Sequence, residues 1–163
     1  MEKHIGSEIK ISDLLKEKYI NLDLKSNTKK EVIEELGDIV AQSSKLTNRK
    51  AFVKAILERE ELGSTGIGGG VAIPHSKTNV TKKFILAFGR KDEGLDFEAL
   101  DGEKTFLFFI LASPKEEVGM HLKILAEISH IVRDKFITEL LKKAKDKKEA
   151  LKIIFEAEKN RKK

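Results

Sequence analysis

Hydrophobic positions recur at two spacings along the chain, and the spacing changes twice. Up to about residue 61, and again from residue 119 onward, apolar residues return every three or four positions, as in helices with one buried face. Between these regions lie short runs rich in β-branched and aromatic residues, bounded by Gly, Asn and Asp, which are typical of strands. This order predicts an α/β class, with a single layered domain in which a mixed β-sheet is flanked by helices.

Capping residues predict where the first long helices begin and end. Thr28 with Glu31 forms a capping box, and Asn48 is expected to cap a second helix that ends at Gly63. The positions expected to be buried are Val32, Ile33, Leu36, Ile39 and Val40 in the first helix and Phe52, Val53, Ile56 and Leu57 in the second.

The remaining helices are predicted in the same way. Ser12 is expected to cap a short first helix, followed by an extended segment over 21–24. A helix over 119–133 is expected to bury Leu122, Leu125 and Ile128 on one face. Asp134 and the pair Asp146 and Glu149 are expected to start two further helices, the first of which carries Phe136 and Leu140.

Three strands are predicted, over Val71–Pro74, Phe84–Arg90 and Thr105–Ala112. The last is apolar on both faces, as expected for a central strand that is covered on two sides.

Length and composition are consistent with one domain over 1–163, with a core over 9–158 and a basic tail over 159–163. No apolar stretch reaches the roughly 20 residues that a membrane-spanning helix needs. Residues 1–11 lack the apolar core of a secretory signal, so the protein is expected to be cytoplasmic. The chain has no cysteine, which excludes disulfides, thiolate metal sites and cysteine nucleophiles on this chain.

The net charge of +5 raises the alternative of a nucleic-acid-binding module. Residues 142–163 hold ten Lys/Arg against four Asp/Glu, whereas the other 141 residues hold 22 basic and 23 acidic groups. Because the excess lies in one C-terminal segment, a solvated helix and tail is the preferred interpretation, and no nucleic-acid partner is expected.

Five glycines occur between Gly63 and Gly70, and such a cluster is expected where the backbone needs positive φ angles or a close approach. The alternative is a mobile surface loop. Neither the Gly-Lys-Ser/Thr ending of a P-loop nor a third dinucleotide-type glycine is present, which disfavours a nucleotide site.

His75 follows this segment directly after Pro74, and a neutral imidazole offers one free nitrogen as a nucleophile. Arg59 and His121 are the candidate partners in an anion pocket, because a guanidinium suits phosphate and a helix start attracts anions. The structural alternatives are a surface histidine, a surface ion pair for Arg59 and a helix-terminal polar residue for His121. His4 and His130 are treated as incidental.

Other chemistries lack their motifs. The histidines do not have metal-ligand spacing, so no metal is expected, and no Gly-x-Ser-x-Gly nucleophile elbow of a hydrolase is present.

These residues resemble the fructose/mannitol class of enzyme IIA domains of the bacterial sugar phosphotransferase system (PTS EIIA type 2). The resemblance is carried by Arg59-Glu60, the glycines Gly66 to Gly70, the run from Val71 to Pro74-His75, and His121-Leu122, and it extends over about residues 9–158. It implies a mixed sheet flanked by helices and no metal or organic cofactor.

The resemblance also implies a role for each site residue. His75 would be the phosphorylated residue, as a tele-phosphohistidine, His121 would hydrogen-bond the phosphoryl group or the neighbouring imidazole, and Arg59 would supply positive charge. The implied donor is HPr, and the implied acceptor is a cysteine of an enzyme IIB domain associated with a membrane enzyme IIC.

The segments 94–97 and 100–102 and the pair Phe108-Phe109 are most similar to the fructose-type branch. Lys104-Thr105 and Ser76 depart from its usual residues, Pro-Val and Gly or Ala. The same site serves a nitrogen-related regulatory branch, whose members act as phosphorylation-dependent switches, so both roles stay open.

Overall fold

The structure of the protein, a computed structural model, describes residues 9–161. His4, most of the N-terminal segment that was expected to lack a signal, and the last two residues of the predicted tail lie outside the described residues. Residues 159–161 of that tail continue the last helix.

Helices occupy both ends of the described chain, and most of the strands lie between them. The helices are α1 (Ile11–Leu14), α2 (Lys29–Val40), α3 (Arg49–Glu61), α4 (Val118–Val132), α5 (Lys135–Lys143) and α6 (Lys147–Arg161), with a 3-10 turn over Glu17–Tyr19. The strands are β1 (Ile20–Asn21), β2 (Gly66–Gly68), β3 (Val71–Ala72), β4 (His75–Thr78), β5 (Ile85–Leu95) and β6 (Thr105–Pro114).

Within residues 9–161 these six strands form one mixed sheet centred on β6. The antiparallel partner β5 runs along one edge of β6, and β1 extends the sheet beyond β5 in parallel. Along the other edge, β3 and then β4 pair in parallel with successive parts of β6, while β2 pairs antiparallel with β3. The predicted mixed sheet flanked by helices is confirmed.

Alternating side chains of β6 enter hydrophobic clusters on opposite faces of the sheet. Leu107, Phe109 and Leu111 pack with residues of α4, α5 and α6, whereas Phe108 and Ile110 pack with residues of α2 and α3. The prediction of a central strand covered on both sides is therefore correct.

The caps predicted for the long helices are present. The Thr28 hydroxyl accepts the Glu31 backbone N–H, the Asn48 side chain accepts that of Ala51, and the Asp134 side chain accepts that of Phe136. Each cap satisfies an N–H group that has no partner within its helix.

The predicted cap of the first helix is wrong. Ser12 lies inside α1, and the buried carboxylate of Glu158 in α6 accepts the backbone N–H groups of Ile11 at 2.6 Å and Ser12 at 3.2 Å. Locally, the Asp13 carboxylate accepts the Lys10 N–H at 2.9 Å, but the acceptor for Ile11 and Ser12 comes from the far end of the chain, where no local pattern could indicate it.

The predicted buried face of α4 is also wrong in part. Leu122 is 59% exposed, whereas His121, Ile124, Ile128 and Ile131 are buried. The buried face of α4 is therefore turned relative to the predicted one, and the polar residue His121 in the first turn faces the core.

The glycine-rich segment forms a hairpin. β2 and β3 pair across a turn in which Gly68, Gly69 and Gly70 have positive φ, and the Gly69 N–H donates to the Asp101 carboxylate at 3.0 Å. β3 pairs with β6 at Leu107, four residues before the Leu111 position that faces His75. These three glycines therefore shape the hairpin turn, away from the histidine.

In the described part of the chain, no helix is long and apolar enough to cross a membrane.

Close packing against the backbone of Ala99 explains why residue 66 is a glycine. A Cβ atom at Gly66 would lie 2.9 Å from the Ala99 Cα, so Gly66→Ala is expected to lower the free energy of unfolding by about 1–3 kcal/mol. Gly119 in α4 has open space around its Cβ position, so Gly119→Ala is expected to stabilise the protein, by up to about 1 kcal/mol. Urea unfolding checks both; a Gly66→Ala midpoint at or above that of the wild type would contradict the packing argument.

Candidate functional site

His75 lies where the edge of the sheet is interrupted. β3 was expected to run to Pro74 and present His75 at its end, but pairing with β6 stops at Ala72 and resumes at His75, the first residue of β4. Proline has no N–H to donate to a ladder, while the Pro74 carbonyl still accepts the Leu111 N–H at 3.0 Å. The break leaves the Ile73 carbonyl free to bind the imidazole.

A short hydrogen bond fixes the tautomer of His75. Its Nδ1 lies 2.6 Å from the Ile73 carbonyl oxygen, and because a carbonyl only accepts, Nδ1 carries the proton. In the neutral ring Nε2 then holds a free electron pair.

Burial lowers the pKa of the half-buried His75. The Ile73 carbonyl opposes this effect, Arg59 lowers the pKa, Glu60 raises it, and Lys77 lowers it. The net direction is downward, so His75 is neutral at pH 7 and its Nε2 is available as a nucleophile.

His121 lies beside His75 in the first turn of α4, which follows β6 after a link of three residues, 115–117. The two ring centroids are 5.3 Å apart, with the ring planes at 58°. The His121 Nδ1 lies 2.6 Å from the Oγ of Ser113, a fully buried residue of β6, which orients the ring. Burial, followed by the charges of His75 and Lys77, lowers the pKa of His121 to about 4.

Arg59 lies in the last turn of α3, where its Nη1 donates to the Gly63 carbonyl at 2.9 Å. In the described part of the chain this bond takes the place of the ion pair that was the structural alternative. The positive charge of Arg59 lowers the pKa of His75, so the guanidinium and the imidazole interact electrostatically.

Sequence reasoning missed Ser113, Lys77 and Glu60 as parts of the site. Lys77 faces Ser113 across the β4–β6 pairing, as His75 faces Leu111, so the alternation of strand side chains places His75 and Lys77 on one face. That signal required the existence of β4, which had not been predicted. Glu60, which the sequence indicated only as part of the Arg59-Glu60 pair, is buried.

Within residues 9–161, no group of three His, Cys, Asp or Glu side chains is arranged to hold a metal ion.

Comparison with known proteins defines the family. Residues 13–157 match the family described as phosphoenolpyruvate-dependent sugar phosphotransferase system, EIIA 2. The chain belongs to this family, and the resemblance drawn from the sequence is confirmed.

Individual relatives carry two kinds of name. The chain is 36% identical over 151 residues to the PTS system fructose-specific EIIABC component of Bacillus subtilis, covering 93% of this chain and 24% of that protein. It is 39% identical over 138 residues to a nitrogen regulatory protein of Bradyrhizobium diazoefficiens, covering 83% and 88%. The structure of nitrogen regulatory protein IIA-Ntr from Neisseria meningitidis superposes with a TM-score of 0.83 at 34% identity, covering 88% and 98%.

The buried neutral state of His121 predicts a pH dependence of stability. Its pKa is about 4 in the folded protein and near its ordinary value of 6.5 in the unfolded chain, so the unfolded state binds the additional proton between these values. The contribution of neutral His121 to the free energy of unfolding is therefore expected to be fully present above pH 6.5. It is expected to fall as the pH drops toward 4, by at most about 1.4 kcal/mol per pH unit.

Urea unfolding at a series of pH values measures this slope. His121→Gln is expected to reduce it, whereas the change His130→Gln at an exposed position is expected to leave it unchanged. Equal slopes in the wild type and His121→Gln would contradict the assignment.

Proposed function

We propose that residues 9–158 form a phosphohistidine carrier domain, in which His75 accepts a phosphoryl group at Nε2 and passes it on. The observation that carries this proposal is the hydrogen bond from His75 Nδ1 to the Ile73 carbonyl, because it leaves Nε2 as the free nucleophilic nitrogen. A neutral imidazole is the form required for attack at phosphorus.

Neither of the two proposed transfer steps requires a cofactor. The Nε2 electron pair of His75 forms a bond to the phosphorus of phosphorylated HPr while the bond from phosphorus to the donor nitrogen breaks and its electron pair stays on that nitrogen. In the second step a cysteine thiolate of an enzyme IIB domain attacks the same phosphorus, and the electron pair returns to Nε2.

The neighbouring side chains stabilise the charge of the phosphoryl group. Arg59 and Lys77 both act electrostatically on His75, and they supply positive charge where the transferred group is highly charged. In this proposal His121, held by Ser113, hydrogen-bonds the phosphoryl group or the neighbouring imidazole. Positioning and electrostatics then account for catalysis.

A role in sugar uptake, of the fructose type, is our first proposal for the biological context. It is supported by the likeness to the fructose-specific EIIABC component, whose name combines an A component with B and C components. The domain would act in the cytoplasm, with HPr as donor and an enzyme IIB domain, associated with a membrane enzyme IIC, as acceptor.

A regulatory role is the second candidate, favoured by the likeness to nitrogen regulatory proteins. In that role the phosphorylation state of His75 would be recognised by a binding partner, and no sugar would be moved. A neighbouring gene for an enzyme IIB or a permease supports uptake, and phosphoryl transfer from this chain to that enzyme IIB would establish it.

The proposed carrier role predicts the phosphorylation site. After incubation with phosphoenolpyruvate, enzyme I and HPr, intact-mass measurement is expected to show one acid-labile phosphoryl group, which His75→Ala abolishes. The control His130→Ala changes an exposed histidine of α4 and is expected to leave the phosphoryl group in place. Phosphorylation of the His75→Ala variant would refute the assignment.

The proposed roles of the neighbours predict slower transfer. Arg59→Lys replaces a guanidinium that can grip two oxygens by a point charge, and His121→Ala removes a hydrogen-bonding group. We expect both variants to be phosphorylated but to transfer to the acceptor about ten to a hundred times more slowly, since hydrogen bonds to charged groups contribute about 1.5–3 kcal/mol. Rapid-quench measurement of transfer tests this; unchanged rates would assign purely structural roles.

A further inference from the structure

Glu60 is a buried carboxylate at the end of α3 that no step described so far requires. Its Oε1 accepts the backbone N–H of Thr65 at 3.1 Å, and its Oε2 accepts the Thr65 hydroxyl. Lys29 lies 3.0 Å from Oε1 and supplies the opposite charge that a buried carboxylate needs. Glu60 therefore binds Thr65 with both oxygens.

Thr65 in turn connects Glu60 to the site. The Thr65 carbonyl accepts the Ile73 N–H at 3.0 Å, and the Ile73 carbonyl accepts the His75 Nδ1–H at 2.6 Å. A continuous series of hydrogen bonds thus leads from Glu60 through Thr65 and Ile73 to the imidazole.

The residues between Thr65 and Ile73 place few restraints of their own on the backbone conformation. Between Thr65 and Ile73 the chain passes through Gly66, Gly68, Gly69 and Gly70, which restrict the backbone less than other residues do. The Pro74 carbonyl accepts the Leu111 N–H at 3.0 Å, but it belongs to the next peptide, and the peptide that joins Ile73 to Pro74 has no N–H with which to bind the sheet. The bond from the Ile73 N–H to Thr65 therefore helps to set the direction of the Ile73 carbonyl.

We propose that Glu60 is a positioning residue, which acts through Thr65 to direct the Ile73 carbonyl at Nδ1 of His75 and so keeps Nε2 as the nucleophile. The inference deepens the proposed function, on which its kinetic part rests. Glu60 itself does not touch the reacting atoms.

Two changes weaken the contact between Glu60 and Thr65 and leave the side-chain volume nearly unchanged. Glu60→Gln leaves one oxygen to accept from Thr65, and Thr65→Val deletes only the hydroxyl. Thr65→Ser restores that hydroxyl, and Glu61→Gln changes an exposed neighbour of Glu60 as the matched control.

The first readout is the tautomer of His75 in the isolated protein, from the imidazole nitrogen shifts in long-range ¹⁵N NMR spectra above pH 7. We expect the Nδ1–H form in the wild type, Glu61→Gln and Thr65→Ser, and a mixture with the Nε2–H form in Glu60→Gln and Thr65→Val. This readout needs no phosphoryl transfer, so it tests the positioning role of Glu60 independently of the proposed function. If HPr fails to phosphorylate the wild type, that result contradicts only the proposed function.

The second readout is the single-turnover rate of phosphoryl acceptance from phosphorylated HPr. We expect a fall of about tenfold in Glu60→Gln and Thr65→Val, the effect of one buried hydrogen bond, with an unchanged KM for HPr. If Glu60→Gln fails to fold, the comparison of Thr65→Val with Thr65→Ser carries the test. Folded Glu60→Gln and Thr65→Val proteins with the wild-type tautomer and rate would overturn the proposal.

Discussion

The pairing of β6 with its neighbours is the constraint on which the rest of the structure depends. Buried on both faces, β6 satisfies its backbone groups through β5 on one edge and through β3 and β4 on the other. The same pairing sets His75 opposite Leu111 and Lys77 opposite Ser113. Because α4 follows β6 after three residues, His121 is delivered to the same end of the sheet. One strand thus positions both histidines.

Much of the fold follows from local sequence, since helix caps and buried stripes depend on neighbouring residues. Thr28, Asn48 and Asp134 cap their helices as predicted, and the stripe of α2 is buried. The failures concern contacts between distant residues. β4 has no apolar alternation of its own and exists because β6 offers a free edge, and the cap of α1 comes from Glu158, 147 positions away from Ile11.

The sequence predicted which residues lie together at the candidate site better than it predicted their environment. The small residues and proline before His75 indicated a held histidine, and the structure gives the reason in the Ile73 carbonyl. The burial of His121 could not be read from α4, because Leu122 is the more apolar residue, yet it is exposed. A polar side chain is buried there because the buried Ser113 hydroxyl provides its hydrogen bond.

The contact between Glu158 and α1 has a consequence for the motion of the protein. Helix α1 is only four residues long and cannot persist by itself, so its first turn depends on a carboxylate contributed by α6. Loosening of the end of α6 would release α1 at the same moment. The two ends of the described chain should therefore open together as one cooperative unit, with amide hydrogens in both exchanging with solvent at a common rate.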